Sequence, residues 1–318
     1  QSFAICLGLD SIKERAMEKI CYKCAKEIEG EPCEGLHRAC FCEWFQTAEP
    51  QPFYDLIART DKRSDEWSAI TSSFFHGKFR KYSARLAEKS YLLKVQQSEI
   101  PELPATEYLC NQIARTLLLN VPDHYFIRFQ NELDTFVCEN FMDKYPGGNL
   151  VHIYRFLERP DQFSCEGLVQ VLEKQVKRYQ EIQRFIKLSL FDALIGNHDR
   201  HGRNLGLIQF GKELLLAPFY DNPSYLALKD PLLLGALHEP RGVIITQETK
   251  EPTMSDYVKE WKRLGLMEPV HEFHQTINRS KIEDLVARSF LSGKRKQAFL
   301  QLINRRYHEL SNAIERFS

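Results

Sequence analysis

The stretch Gly196-Asn197-His198-Asp199-Arg200-His201-Gly202-Arg203-Asn204 constrains this chain more than any other. It is a dense polar loop between an apolar helical run that ends at Ile195 and two short apolar segments, Leu205 to Ile208 and Leu214 to Leu216. Those segments flank Phe210-Gly211-Lys212 and read as a hairpin. Pro218-Phe219-Tyr220-Asp221-Asn222 follows. A helix, a tight polar loop, a hairpin and a second acidic turn, in that order, aim Asp199 and Asn204 into one cleft and return Asp221 to its mouth. Phosphoryl transfer needs such a set. One carboxylate orients an acceptor hydroxyl and takes its proton, while an Asn oxygen and a second carboxylate bind the magnesium that bridges phosphates. Taken alone, the loop is also the composition of a surface turn and Asp221 that of a cap. The elements around them favour chemistry.

The same reaction needs a Lys on a strand and an acid on a nearby helix to hold it. Tyr91-Leu92-Leu93-Lys94-Val95 puts a Lys inside an apolar strand, which is costly unless the charge is paired. Glu107 stands at the start of the next helix, which runs through Leu118 with Tyr108, Leu109, Ile113, Leu117 and Leu118 at helical spacing. Further strands are predicted over 82–86, 125–129 and 135–138. Past Asp143 the pattern turns helical. Gly167 to Leu194 reads as a helical stretch broken once, and more helices fall near 255–264, 268–278 and 294–315. The expected fold is α+β, with a Cys-rich element over 1–50, a β-rich lobe over 51–142 and a large helical lobe over 143–318. Glu49-Pro50-Gln51-Pro52 would be the linker after the first of these.

Several motifs, in one order and spacing, resemble those of the HipA-like serine/threonine kinases, the toxin kinases of bacterial persistence modules. His76-Gly77-Lys78-Phe79-Arg80-Lys81 is similar to their phosphate loop, and Tyr91 to Lys94 to the strand with the ATP-binding Lys. Ile100-Pro101-Glu102-Leu103-Pro104-Ala105-Thr106-Glu107 resembles their helix start, and Phe136-Val137-Cys138-Glu139-Asn140-Phe141 the hinge beside adenine. Gly196 to Asn204 is similar to the catalytic loop and Pro218-Phe219-Tyr220-Asp221 to the metal-binding turn; Ser289-Phe290-Leu291-Ser292 before the last helix is also family-like. The resemblance spans roughly 70–318. It implies a two-lobed, protein-kinase-like fold that uses ATP and Mg2+. The implied roles are Asp199 as catalytic residue with His201 in support, Asn204 and Asp221 as magnesium ligands, Lys94 and Glu107 as the phosphate-contacting pair, Gly77 in the phosphate loop, and the backbone at Glu139 and Phe141 as adenine contacts. It also implies a protein substrate and a small antitoxin-like partner. The loop departs from the family pattern: Phe79 replaces a Gln, Gly77 is a lone glycine, and Phe74, Phe75 and His76 stand where a regulatory Ser is common, with Ser72 and Ser73 just before. A pseudokinase scaffold is therefore one alternative. A phosphoinositide or small-molecule kinase is another, because Asp-Arg-His-x-x-Asn resembles the catalytic loop of those enzymes too.

Five of the nine cysteines fall between Cys21 and Cys42. An odd total with one cluster is unlike a disulfide framework. Cys21-x-x-Cys24 and His37-x-x-Cys40 have zinc-ligand spacing, which makes these four candidate ligands of a structural Zn2+. Zinc would let some thirty residues fold without a core of their own. The alternative is a helix over Ile12 to Glu29 with buried reduced thiols.

Charge excludes one class. Lys plus Arg and Asp plus Glu both number 43, so the chain lacks the basic excess of a general nucleic-acid binder. No apolar run approaches the ~18 residues of a membrane span, no basic amphipathic helix suggests docking on a membrane, and Gln1 to Asp10 does not read as a signal peptide. The expectation is a cytoplasmic protein with no direct nucleic-acid or membrane partner.

Overall fold

The computed structural model describes residues 20–59, 80–159 and 162–317. Its sheet-rich part is a five-stranded antiparallel sheet of β1 (Tyr54–Arg59), β2 (Arg80–Leu86), β3 (Lys89–Val95), β4 (His124–Phe129) and β5 (Leu133–Glu139), in the order β1-β2-β3-β5-β4. Helix α2 (Leu103–Thr116) packs on β4 and β5; a shorter helix, α1 (Arg38–Phe45), precedes the sheet. Pro104 in the first turn presets the backbone of α2, and the chain leaves it through Leu118 at φ 59°. Leu109, Cys110, Ile113 and Ala114 form its buried stripe. The strands 82–86, 125–129 and 135–138 all stand where their alternation predicted, each extended by one to three residues.

The helical part begins with α3 (Cys165–Gln175) and α4 (Tyr179–Ile195), the one long stretch broken at Val176 to Arg178 where Lys177 turns to φ 59°. Phe185, Ile186, Leu188, Leu190, Phe191, Leu194 and Ile195 of α4 are all fully buried. At about 1.5–3 kcal/mol per side chain, this helix anchors the core. Gly196 ends it at φ 69°, with its N–H returned to the Asp192 carbonyl. A Cβ at Gly196 would stand 2.8 Å from Pro240 Cγ and 3.0 Å from Leu302 Cδ2, so only glycine makes this turn without strain. The polar loop leaves the helix here.

Four features correct the sequence reading. The chain is not purely helical past Asp143. A strand β6 (Asn149–His152) pairs with β7 (Gly206–Phe210), and β7 with β8 (Glu213–Leu216), so the anticipated hairpin belongs to a three-stranded sheet. After α5 (Met254–Arg263) and α6 (Glu268–Thr276), an unanticipated helix α7 (Arg279–Arg288) starts at Asn278, whose side chain accepts from the Lys281 N–H. The last helix is α8 (Gly293–Phe317). The Cys-rich element packs into the core of the sheet: Cys21, Tyr22, Ile28, Leu36, Phe41 and Phe45 belong to the same buried cluster. Finally, residues 20–29 form turns and a bridge between Ile20 and Glu27, not a helix. The rest of the alternative helix lies outside the described residues.

Candidate active site

A cleft of about 790 Å3 opens between the two parts. From the first sheet it is lined by Lys81, Lys94, Phe136, Cys138 and Glu139, from α2 by Glu107 and Asn111, and from the turn after β5 by Phe141. His201, Asn204, Tyr220 and Asp221 close the other side. Most of the residues singled out from the sequence therefore share one wall-to-wall space of a size that suits a nucleotide. Asp199 does not line it; it is 4% exposed, at the root of the polar loop. Gly77, and with it His76, Lys78 and Phe79, lies outside the described residues.

Lys94 is the electrostatic centre. It is 2% exposed, donates to Glu107 Oε1 at 2.5 Å and is ion-paired with Asp221 Oδ1. Burial alone would pull its ammonium down. The Asp221 and Glu107 carboxylates outweigh that and hold it above the usual lysine range. Burial likewise opposes the charge on Asp221, but Lys81 and Lys94 overcome it and keep the carboxylate ionised far below its ordinary range. Glu107 is pushed up by burial despite Lys94. Lys81 faces Lys94 directly in the β2–β3 register and reaches within 4.0 Å of Asp221. Two ammonium groups directly opposite on neighbouring strands are unfavourable without an anion between them. Asp221 is that anion here. It adopts φ 53°, a left-handed conformation uncommon for a side-chain-bearing residue and met most at functional turns.

The polar loop is held from below by one buried arginine. Arg200, 1% exposed, donates from Nε and Nη2 to both Asp192 oxygens at 2.8 and 2.9 Å. Its Nη1 donates to the carbonyls of Asn204 (2.9 Å) and Tyr220 (2.7 Å), and Nη2 also reaches Asn222 Oδ1 at 2.5 Å. All five guanidinium N–H groups are used. The loop is thus tied to α4 and to the turn that carries Asp221. Asn222 passes the network on through Nδ2 to Asn111 Oδ1 of α2 at 2.9 Å. Sequence reasoning missed Arg200, Asp192, Asn111 and Asn222. Asp192 did carry a signal, as a lone acid in the apolar run 188–195 that has to find a buried partner.

Orientation within the loop is specific. Asn197 Oδ1 accepts the Asp199 N–H at 2.9 Å, and Asn204 Nδ2 donates to the Asp199 carbonyl at 3.0 Å. With its amide nitrogen so engaged, Asn204 has its Oδ1 left as the group for a hard cation. This oxygen and the Asp221 carboxylate are the donor type that magnesium takes, so the residues present fit that ion. Burial pushes the His201 imidazole down to about 4, so it is neutral; its Nδ1 accepts the Arg203 N–H at 3.1 Å and tightens the loop. At the opposite end, the Glu139 N–H is spent on the Asp123 carbonyl at 2.8 Å. Phe141 opens a 3-10 turn, so its N–H has no partner within that turn.

Away from the cleft, Cys21, Cys24, His37 and Cys40 converge, with one ligand atom from each lying within 4.8 Å of all the others. This Cys3His cluster can hold a metal ion.

Comparison with known proteins places these observations. The family described as "HipA-like C-terminal domain" matches residues 70–288. The crystal structure of a Helicobacter pylori proinflammatory kinase, CtkA, superposes with a TM-score of 0.63 at 18% identity, covering 74% of this chain and 92% of that one. HipA from the Shewanella oneidensis MR-1 toxin–antitoxin complex with HipB and operator DNA aligns with a TM-score of 0.47 at 16% identity, over 71% of this chain and 58% of that chain. No curated protein matches the sequence. Among the described residues, no helix is long and apolar enough to cross a membrane.

Proposed function

The chain belongs to the HipA-like C-terminal domain family, and from that premise we propose that it is a kinase that moves the γ-phosphoryl group of ATP, with Mg2+, to a Ser or Thr hydroxyl of a protein. The observation that carries the reading is Lys94, buried and held by two carboxylates from separate elements at the floor of a nucleotide-sized cleft. A buried ammonium tied to Glu107 and facing a second cation, Lys81, is a binding site for phosphate oxygens.

Each residue then has a task. Lys94, steadied by Glu107, contacts the phosphates, and Lys81 adds charge beside it. Asp221 and Asn204 Oδ1 would hold the magnesium, which would supply positive charge against that developing on the transferred group. Nucleotide entry has to draw Asp221 away from Lys94, since one carboxylate cannot serve both fully. Asp199 orients the acceptor hydroxyl and takes its proton, with its backbone fixed by Asn197 and Asn204. The Glu139 carbonyl and Phe141 N–H meet the adenine edge, and Phe141 and Phe136 supply apolar walls. A small antitoxin-like partner follows only from the family, and co-purification of a partner with tagged protein checks it.

The test is the intact mass of wild type, Asp199→Ala and Asp221→Ala after incubation with Mg-ATP, with and without a protein acceptor. Asp199→Ala should lose transfer by a hundredfold or more while still binding nucleotide. Asp221→Ala should lose Mg-ATP binding itself. Unchanged transfer in either variant sinks the assignment. Thermal stabilisation by Mg-ATP with no transfer to any protein would favour a scaffold, and transfer to phosphoinositides alone would favour the lipid-kinase reading.

A further inference from the structure

We propose that Cys21, Cys24, His37 and Cys40 bind one structural zinc ion, and that this ion holds Tyr22 as an aromatic strut between the sheet-rich and helical parts. Distances come first. Zinc–sulfur and zinc–nitrogen bonds of about 2.3 and 2.05 Å on a tetrahedron place N and S about 3.6 Å apart. His37 Nδ1 stands 3.4 Å from Cys24 Sγ and 3.8 Å from Cys40 Sγ. These two edges already have the length that a bound ion requires.

The histidine is also oriented for a metal. His37 Nε2 lies 2.9 Å from the Glu27 carbonyl. A carbonyl only accepts, so Nε2 carries the proton and Nδ1 presents its lone pair to the thiols. A ring whose far nitrogen is pinned to a backbone oxygen is the usual support of a zinc-bound histidine. The cysteine side is similarly built. Ala25 turns to φ 58° with its N–H on the Cys21 carbonyl at 2.9 Å, which closes the turn that brings Cys21 and Cys24 together. Cys33 and Cys42 stand outside the cluster. On binding, each coordinating thiol gives its proton to solvent, and three thiolates with one Zn2+ leave a single negative charge.

What the ion holds follows from the next residue. Tyr22 stacks on Phe126 of β4 at 5.3 Å and packs on Phe290 of the α7–α8 corner at 4.6 Å. Its hydroxyl donates to Asp134 at 2.7 Å and accepts from Arg128 at 2.6 Å. Phe290 in turn touches Tyr108 of α2, one residue from Glu107. The element therefore clamps the outside of the helix whose inner face holds Lys94. This inference is independent of the kinase reading, because zinc content is read without turnover.

The experiment is elemental analysis of the full chain purified without chelator, with Cys24→Ala and Cys33→Ala alongside. About one zinc per chain is expected in wild type and Cys33→Ala, and well below half in Cys24→Ala. Cys24 is exposed, so its loss need not prevent folding. Exchange of wild type with Co2+ covers that case, since a tetrahedral thiolate site gives intense visible absorption. Metal-free protein with a disulfide, or with all three thiols open to alkylation and no cobalt spectrum, overturns the site. The strut has its own readout. Tyr22→Leu should keep its zinc yet melt lower and exchange faster at β4 and the α7–α8 corner, as chelated wild type should. Unchanged exchange at that corner in both refutes the strut and leaves the ion.

Discussion

Replacing Arg200 by lysine isolates the role of the guanidinium fork, because the charge beside Asp192 is kept. Arginine fills five acceptor positions here: two oxygens of Asp192, the carbonyls of Asn204 and Tyr220, and Asn222 Oδ1. Lysine has three N–H groups on one nitrogen and cannot span acceptors on three elements. At least two of the acceptors on the loop and the Asp221 turn are left buried without a donor, at about 1–3 kcal/mol each. The loss is then about 2–6 kcal/mol. For a chain of 318 residues, unfolding entropy makes one degree worth about 0.7 kcal/mol, so Tm should fall by about 3–9 °C. The acceptors flank both candidate magnesium ligands, so Mg-ATP affinity should fall with Tm. Calorimetric melting and titration of Mg-ATP into the folded variant at low temperature read the two effects separately. A Tm within one degree of wild type together with unchanged affinity would refute the idea that this fork shapes the loop. A fall in Tm alone would confine Arg200 to stability and free the site from its geometry.

Other expectations follow from single groups. His124 donates through Nδ1 to the Pro122 carbonyl, its Nε2 is buried without a partner among the described residues, and burial pushes it down to about 3. Its folded value lies below the unfolded one, so the unfolded chain binds the extra proton. Stability from this site is full above about pH 6.5 and is lost as pH falls toward 3, by about 2 kcal/mol between pH 8 and 5. The wild-type melting curve should thus fall more steeply over that range than that of His124→Gln, and parallel curves would refute it. Phe45→Ala removes a 2%-exposed ring that meets Tyr91, Tyr125, Phe53 and Phe41, and should cost about 3–5 kcal/mol in denaturant unfolding. A loss under 1 kcal/mol would mean that α1 is not part of the sheet's core. Gly196→Ala forces a Cβ against Pro240 and Leu302 at a positive φ, and should lower both Tm and Mg-ATP affinity more than Gly211→Ala, which meets open space. Equal effects would show that the turn above the loop is not under steric control.

The parts of this fold visible in the sequence are those whose own periodicity buries them. Strands β2 to β5 alternate, α4 is apolar at helical spacing, and the turn after it holds a glycine, so each element states its partner surface locally. That Lys94, Glu107, Asn204 and Asp221 would meet in one cleft was legible for a related reason. A charge inside an apolar strand, or a polar loop between two apolar elements, is costly unless something meets it, and the chain order says what can. Strand β1 was not legible: all six of its residues are exposed, so no apolar face marks it.

The long connection from Asn222 to Thr253 was illegible for a different reason, and that reason bears on the site. It contains only one short 3-10 turn, Tyr225–Leu228, yet Ser224, Tyr225, Leu226 and Ala227 are buried. Buried backbone outside helices and sheets has to find its hydrogen bonds elsewhere. Backbone turns supply some, and two arginines of the last helix supply others. Arg295, 4% exposed, donates to the Leu226 and Lys229 carbonyls and pairs with Glu102 just before α2. Arg306, 2% exposed, donates to the Pro240 carbonyl at 2.6 Å, and Pro240 is the residue that confines Gly196. Neither arginine is near its acceptors in sequence, and on α8 both look like ordinary solvent-facing charges. The shape of the polar loop is therefore set from three distant places: Asp192 beneath Arg200, Asn111 behind Asn222, and Arg306 behind Pro240. A reading confined to neighbouring residues finds the groups that line the cleft, because their cost is local. It does not find the groups that aim them, because a side chain that satisfies a remote carbonyl leaves no pattern around itself.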